Sequence, residues 1–153
     1  MGKFTVLKDS REKLGWDFPE DDDCLGTTVC KLDTGDYTIL EAKDLLCIER
    51  KQNVSELAHN FIEPRFTKEL ERLQEFKYKF LICEFRLQDV LTYPTGSEIP
   101  KSRHHMVRIR FPFLFARINS LQTQYGINVI FADSPKVAQA YAWSIFKYVE
   151  GKL

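Results

Sequence analysis

A seven-residue run, KFLICEF at Lys79–Phe85, constrains the fold more than any other segment. Alternating apolar and polar residues mark a strand with one wet face, whereas a nearly continuous apolar run marks a strand covered on both. Helices must therefore flank the sheet that contains it. The pattern around it predicts strands at Lys3–Asp9, Thr27–Leu32, Asp36–Glu41, Asp44–Arg50 and Ile127–Ala132. From Val54 the period turns helical: Leu57 and Phe61 start a short helix, Pro64 interrupts it, and Phe66, Leu70 and Leu73 recur in a second. Further helices are predicted at Pro112–Tyr125 and Ser134–Val149. Two stretches read as loops. Glu12–Leu25 carries Gly15, Pro19 and the acidic run Asp21–Asp23, taken as solvated; Gln88–Arg103 carries Pro94, Gly96 and Pro100. The expected fold is α/β, a mixed sheet flanked by helices, in one domain over residues 1–153.

Composition removes several alternatives. Twelve Phe and six Tyr exclude a disordered chain. Twenty-two basic and 22 acidic residues leave no net charge, so nucleic-acid binding requires the charges to be segregated. Cys24, Cys30, Cys47 and Cys83 form no CxxC pair, which excludes a zinc knuckle or thioredoxin-type motif; Cys47 and Cys83 read as reduced core residues. Neither a signal segment nor a membrane-length apolar run follows Met1. The expected setting is intracellular and soluble: cytoplasm, nucleoid or a virus-infected host cell.

The segment with chemistry in it is GDYTILEAKDLLCIERK, Gly35–Lys51. Glu49 and Lys51 are two apart on a strand and share a face. A hairpin turn centred between Lys43 and Asp44 pairs Asp36 with Lys51, so all three converge at its open end. Two carboxylates and an ammonium at one point suit phosphodiester hydrolysis. Mg²⁺ takes oxygen ligands from one or two carboxylates plus substrate phosphate, and a lysine can position water or neutralise developing charge. Asp36, twelve intervening residues, then Glu49-Arg50-Lys51 match the D…(D/E)xK pattern of restriction-like nucleases. On spacing alone the rival reading, a strand end with solvated charges, stays open.

The longer string is more specific. DSRE at Asp9–Glu12, GDY at Gly35–Tyr37, IERK at Ile48–Lys51, PRF at Pro64–Phe66 and LICE at Leu81–Glu84 follow the order seen in XPF-type nucleases. Over residues 4 to 150 the chain resembles that family. The resemblance implies a restriction-endonuclease-like fold and cutting of branched DNA, the kind of cut that repair and recombination use, with Mg²⁺ or Mn²⁺. It implies Asp36 and Glu49 as metal ligands, with the Arg50 backbone carbonyl, and Lys51 as the catalytic lysine. Asp9 and Arg11 match a motif bordering the site, and Arg65 a basic helix-start position that supports the site or contacts DNA. Two features depart from the pattern. Ser55 stands where ERKxxxD has its acid, so Glu56 is the substitute if the loop bulges. No helix-hairpin-helix module, the family's usual source of DNA binding and dimerisation, is expected within residues 1–153. That leaves room for a non-catalytic DNA-binding or scaffold relative, and for a restriction-like nuclease acting on ordinary duplex.

Lys101, Arg103, Arg108 and Arg110, with His104 and His105, form the clearest basic cluster and the first place to seek DNA. Its bland counterpart is a solubilising rim on an exposed strand. The two histidines would point to opposite faces of such a strand and make a poor metal pair. His59 reads as structural or exposed, and Glu84 as a minor member of the acidic cluster or an arginine partner. Tyr141, Trp143, Phe146 and Tyr148 enrich the last helix in aromatics; core packing is the first reading and a homodimer interface the second.

Overall fold

The KFLICEF run forms a strand covered on both faces, in a six-stranded mixed sheet. The computed structural model describes residues 2–153. Strands β1 (Phe4–Asp9), β2 (Cys24–Cys30), β3 (Tyr37–Ile39), β4 (Leu46–Lys51), β5 (Tyr78–Cys83) and β6 (Asn128–Phe131) lie in the order β2-β1-β3-β4-β5-β6. Pairs β1–β2, β4–β5 and β5–β6 are parallel; β1–β3 and β3–β4 are antiparallel. The helices are α1 (Val54–Ile62), α2 (Pro64–Leu73), α3 (Leu87–Thr92), α4 (Phe111–Thr123) and α5 (Pro135–Glu150).

Two cores lie on opposite faces of the sheet. Ile82 of β5 joins Phe4, Trp16, Tyr37 and Ile48 beneath α5, while Leu81 and Cys83 join Leu57, Phe66 and Leu114 beneath α1, α2 and α4. Alternate β5 residues thus serve different cores, which is why the run has no polar alternation. Cys47 and Cys83 are buried in the second core, as free thiols. Ser134 caps α5 by accepting from Val137 N at 3.2 Å, and Ala138, Ala142, Ile145, Phe146 and Val149 face the sheet. Of the four aromatics on this helix, Phe146 and Trp143 pack against Phe4 and Phe18, whereas Tyr141 and Tyr148 stay exposed.

Four expectations need correction. β2 begins at Cys24, earlier than Thr27, because a register shift between Phe4 and Val6 of β1 accommodates the extra residue. The β3–β4 hairpin is looser than predicted. β3 stops at Ile39, a 3₁₀ turn spans Leu40–Ala42, and Tyr37 pairs with Ile48. Asp36 is therefore not opposite Lys51; the slip is two residues, which preserves which side chains share a face. The stretch Gln88–Arg103 is not plain loop, since α3 opens before it and a 3₁₀ helix occupies Lys101–Met106. The basic cluster accordingly sits on that 3₁₀ turn and the segment after it, not on a strand. Among the described residues no helix is long and apolar enough to cross a membrane.

Candidate active site

Period-two alternation along β4 sorts the ERK triplet onto two faces. Cys47 belongs to the α1/α2 side, and Glu49 and Lys51 follow it into a cleft of about 260 Å³ with Asp36, Glu56 and Glu69. Leu46 and Ile48 belong to the α5 side, and the Arg50 guanidinium follows them. A larger cleft of about 560 Å³ lies beside Phe18 and Trp143, where Trp16, Pro19 and Pro135 line it together with Asp17, Asp21 and Lys136, and none of the ERK side chains reaches it.

Asp36 is held by its neighbours on both sides. Asp9 N donates to the Asp36 carbonyl and Asp36 N to the Ile48 carbonyl, each at 2.8 Å. Its side chain then replaces a backbone acceptor, with Oδ2 taking Arg50 N at 2.8 Å. Gly35 makes this approach possible. It sits at φ +82°, and a Cβ there would collide with Cys47 Sγ. Gly35→Ala is expected to destabilise by more than about 1 kcal/mol and to loosen Asp36, measurable as an earlier urea midpoint with unchanged m.

Burial is the largest influence on the Asp36 carboxyl and drives its pKa well above the ordinary value; the Glu49 charge adds to this. Burial also raises Glu49, while Lys51 and a hydrogen bond from Asp36 act against the rise. Burial and mutual repulsion thus make the doubly ionised pair unfavourable in the absence of a cation. Lys51 Nζ stands 3.9 Å from Glu49 and 3.8 Å from Glu56. Burial works against its charge, but Glu49, Glu56 and Asp36 outweigh that and lift its pKa, so it remains an ammonium.

Glu56 reaches the cleft without any bulge. Asn53 caps α1 by accepting from Glu56 N at 2.9 Å, which begins the helix at Val54, three residues after Lys51, and turns Glu56 toward it. Ser55 points elsewhere, donating to Glu98 Oε2 at 3.0 Å. Asp9 borders the cleft with both oxygens engaged, by Arg11 Nε at 2.7 Å and Leu32 N at 2.9 Å. Burial would raise its pKa, but these bonds outweigh burial and hold it below the usual range.

Other candidates lie apart. Arg65 is exposed and paired with Glu63 at 2.7 Å, outside the cleft. Arg110 is engaged within its own turn by the Val107 and His104 carbonyls, while Lys101, Arg103 and Arg108 are exposed. His104 Nε2 bonds the Ile99 carbonyl at 2.8 Å, and His59 is exposed. Glu84 is buried against Arg50 on the reverse face, the arginine-partner reading and not the acidic-cluster one. Six cleft residues were not among the site candidates of the sequence: Glu12, Asp33, Thr34, Asn60, Glu69 and Arg72. For the last three, only helical spacing, four from Glu56 to Asn60 and three from Glu69 to Arg72, gave a signal.

Among the described residues no three His, Cys, Asp or Glu side chains close a full metal cage. Asp36 and Glu49 are instead a partial hard-oxygen donor set, the kind Mg²⁺ completes with water and phosphate. The donor chemistry fits.

Residues 9–142 match the ERCC4 domain. The chain belongs to the ERCC4 domain family. No curated protein matches the sequence as a relative. Among solved structures, XPF from Aeropyrum pernix superposes with a TM-score of 0.68 at 24% identity over 95% of this chain. The same protein in complex with DNA gives 0.67 at 22% identity over 98%. The chain spans only 65% and 66% of the length of those two chains. The restriction-endonuclease-like fold expected from the motifs is the one observed.

Proposed function

We propose that residues 1–153 act as a nuclease domain of the XPF type, hydrolysing DNA phosphodiester bonds at branched or single-strand/duplex junction DNA. The observation that carries this is the juxtaposition of the Asp36–Glu49 carboxylate pair with the Lys51 ammonium, in one cleft of an ERCC4 domain. A divalent cation, Mg²⁺ or Mn²⁺, would be held by Asp36 and Glu49 with the Arg50 carbonyl and would supply Lewis-acid polarisation of the scissile phosphate and an acidified water. Glu56 supplies the acid that Ser55 does not. Lys51 is fixed beside the carboxylates as a permanent positive charge. It offsets charge developing on the phosphoryl oxygens as water adds to phosphorus and the P–O bond to the leaving strand breaks.

Lys101, Arg103 and Arg108 offer exposed charge for the DNA backbone. The Glu98–Ser55 hydrogen bond ties the segment preceding them to the start of α1, beside the cleft. The exposed Tyr141 and Tyr148 on α5 are the surface for pairing two copies.

End-labelled forked and linear DNA of one sequence, incubated with Mg²⁺ or Mn²⁺, tests the proposal against Asp36→Ala and Lys51→Ala. Fork cutting that both substitutions abolish is the expected result. Equal cutting of linear duplex would replace branch preference with ordinary duplex cleavage. Binding without cutting, in every metal and by all three proteins alike, would make the chain a scaffold with a vestigial motif.

A further inference from the structure

The cleft has a second wall, of which the nuclease reading uses only Glu56. Helices α1 and α2 turn Glu56, Asn60, Glu69 and Arg72 toward Asp36 and Glu49. Charge pairing singles out Arg72. Arg11 is bound to Asp9 at 2.7 Å, and Arg50 to Glu12 at 2.9 Å and Glu84 at 3.1 Å. Lys51 stands between Glu49 and Glu56. Among the described residues lining the cleft, Arg72 is the one cation without an ion-pair partner. On the same wall the Asn60 Oδ1 is buried with no hydrogen-bond donor. An uncommitted guanidinium and an uncommitted buried acceptor lining one cleft ask for a ligand rich in acceptors that carries its own donors, as a hydrated phosphate does.

We propose that Arg72 and Asn60 form a phosphate subsite for the substrate strand. The Arg72 guanidinium takes non-bridging oxygens of a phosphate flanking the one that is cut, and Asn60 Oδ1 accepts from the water around it. This rests on the nuclease reading and adds a substrate-positioning residue to it. A planar guanidinium matches phosphate in bidentate fashion, which an ammonium does not. It also resolves an electrostatic difficulty. A polyanion entering a cleft lined by many carboxylates needs a positive partner other than Lys51, whose charge is already shared between two of them.

The test measures binding of forked DNA in Ca²⁺ across a salt series, for wild type, Arg72→Gln, Arg72→Lys and Lys3→Gln. Lys3 is exposed at the end of β1 away from Asp9 and controls for net charge. Arg72→Gln should weaken binding roughly 10- to 100-fold and lower the salt slope by about 0.9. Arg72→Lys should restore the slope but not the affinity, and Lys3→Gln should change neither. Neutral methylphosphonates are then placed singly along the strand near the cut. One position should cost wild type what Arg72→Gln costs and add little to the variant, since coupled partners are not additive. Wild-type affinity and slope in Arg72→Gln, or full additivity at every phosphate, would overturn the subsite. A wild type that neither binds nor cuts the fork would instead overturn the nuclease reading, so the two failures are distinct.

Discussion

Asp36→Asn is expected to abolish cleavage and, in the absence of divalent metal, to make the protein more stable. Both effects have one origin. Burial and the neighbouring Glu49 charge raise the Asp36 carboxyl well above its ordinary pKa. Between the ordinary value and the raised folded one, the folded state binds more protons than the unfolded chain, so stability falls as pH rises through that window. At neutral pH the ionised pair is therefore a cost. Asparagine removes that charge and still offers an oxygen to Arg50 N. A gain of about 1 kcal/mol in a chain of this size shows as roughly 2–4 °C in Tm. The same charge is what a divalent cation would use. Mg²⁺ at about 100 times its Kd should stabilise wild type by about 2.7 kcal/mol and Asp36→Asn very little. Cleavage should fall by at least roughly two to three orders of magnitude, since preorganised charge is the main catalytic contribution. Calorimetry from pH 5 to 8, with and without Mg²⁺, checks the first half. A variant that melts below wild type without metal would mean that the buried pair is not under electrostatic stress.

How far this site could be read in the sequence depends on the range of the physics involved. The shared face of Glu49 and Lys51 follows from a period of two within one strand and needs no tertiary information. The convergence of Asp36 with them survived a wrong hairpin register, because the turn was misplaced by an even number of residues. An odd slip would have sent Asp36 to the other side of the sheet. The 3₁₀ turn at Leu40–Ala42 and the short α3 were not legible, since single turns carry too few residues to show a period. Glu69 and Arg72 were hidden for another reason. Their spacing shows that they share a helix face, but which face meets the sheet is decided by how Phe66, Leu70 and Leu73 pack beneath it. Arg65 begins that helix and looks equivalent in sequence, yet it falls beyond the cleft, beside Glu63.

Arg50→Ala is expected to produce the largest loss of stability of any substitution near the site, about 3–5 kcal/mol, because it strands two carboxylates. The reverse face of β4 carries a buried polar network. Arg50 Nε meets Glu12 at 2.9 Å and Nη1 meets Glu84 at 3.1 Å. The other Glu84 oxygen accepts from Trp16 Nε1 at 2.7 Å, Trp16 N donates to the Tyr37 hydroxyl at 2.8 Å, and the two rings stack at 4.6 Å. Gly15, at φ +126°, lets the Gly15–Phe18 segment pass, since a Cβ there would collide with the Tyr37 hydroxyl. The network thus grips Tyr37, Arg50 and Glu84, immediate neighbours in sequence or sheet of Asp36, Glu49 and Lys51. With two carboxylates to one guanidinium, it depends on Arg50 in a way that it does not depend on either acid alone. Glu84→Gln should cost less than Arg50→Ala, because glutamine can still accept from Trp16 and leaves Arg50 paired with Glu12. The triple replacement Glu12→Gln, Arg50→Met, Glu84→Gln should recover much of the loss, as uncharged substitutes for a buried ionic group often do. Urea unfolding of the three proteins distinguishes these outcomes. If Arg50→Ala unfolds within about 0.5 kcal/mol of wild type, the range of ordinary surface substitutions, the Gly15–Phe18 segment is held by the Trp16–Tyr37 stack alone. The ERK arginine would then have no structural role beyond its backbone.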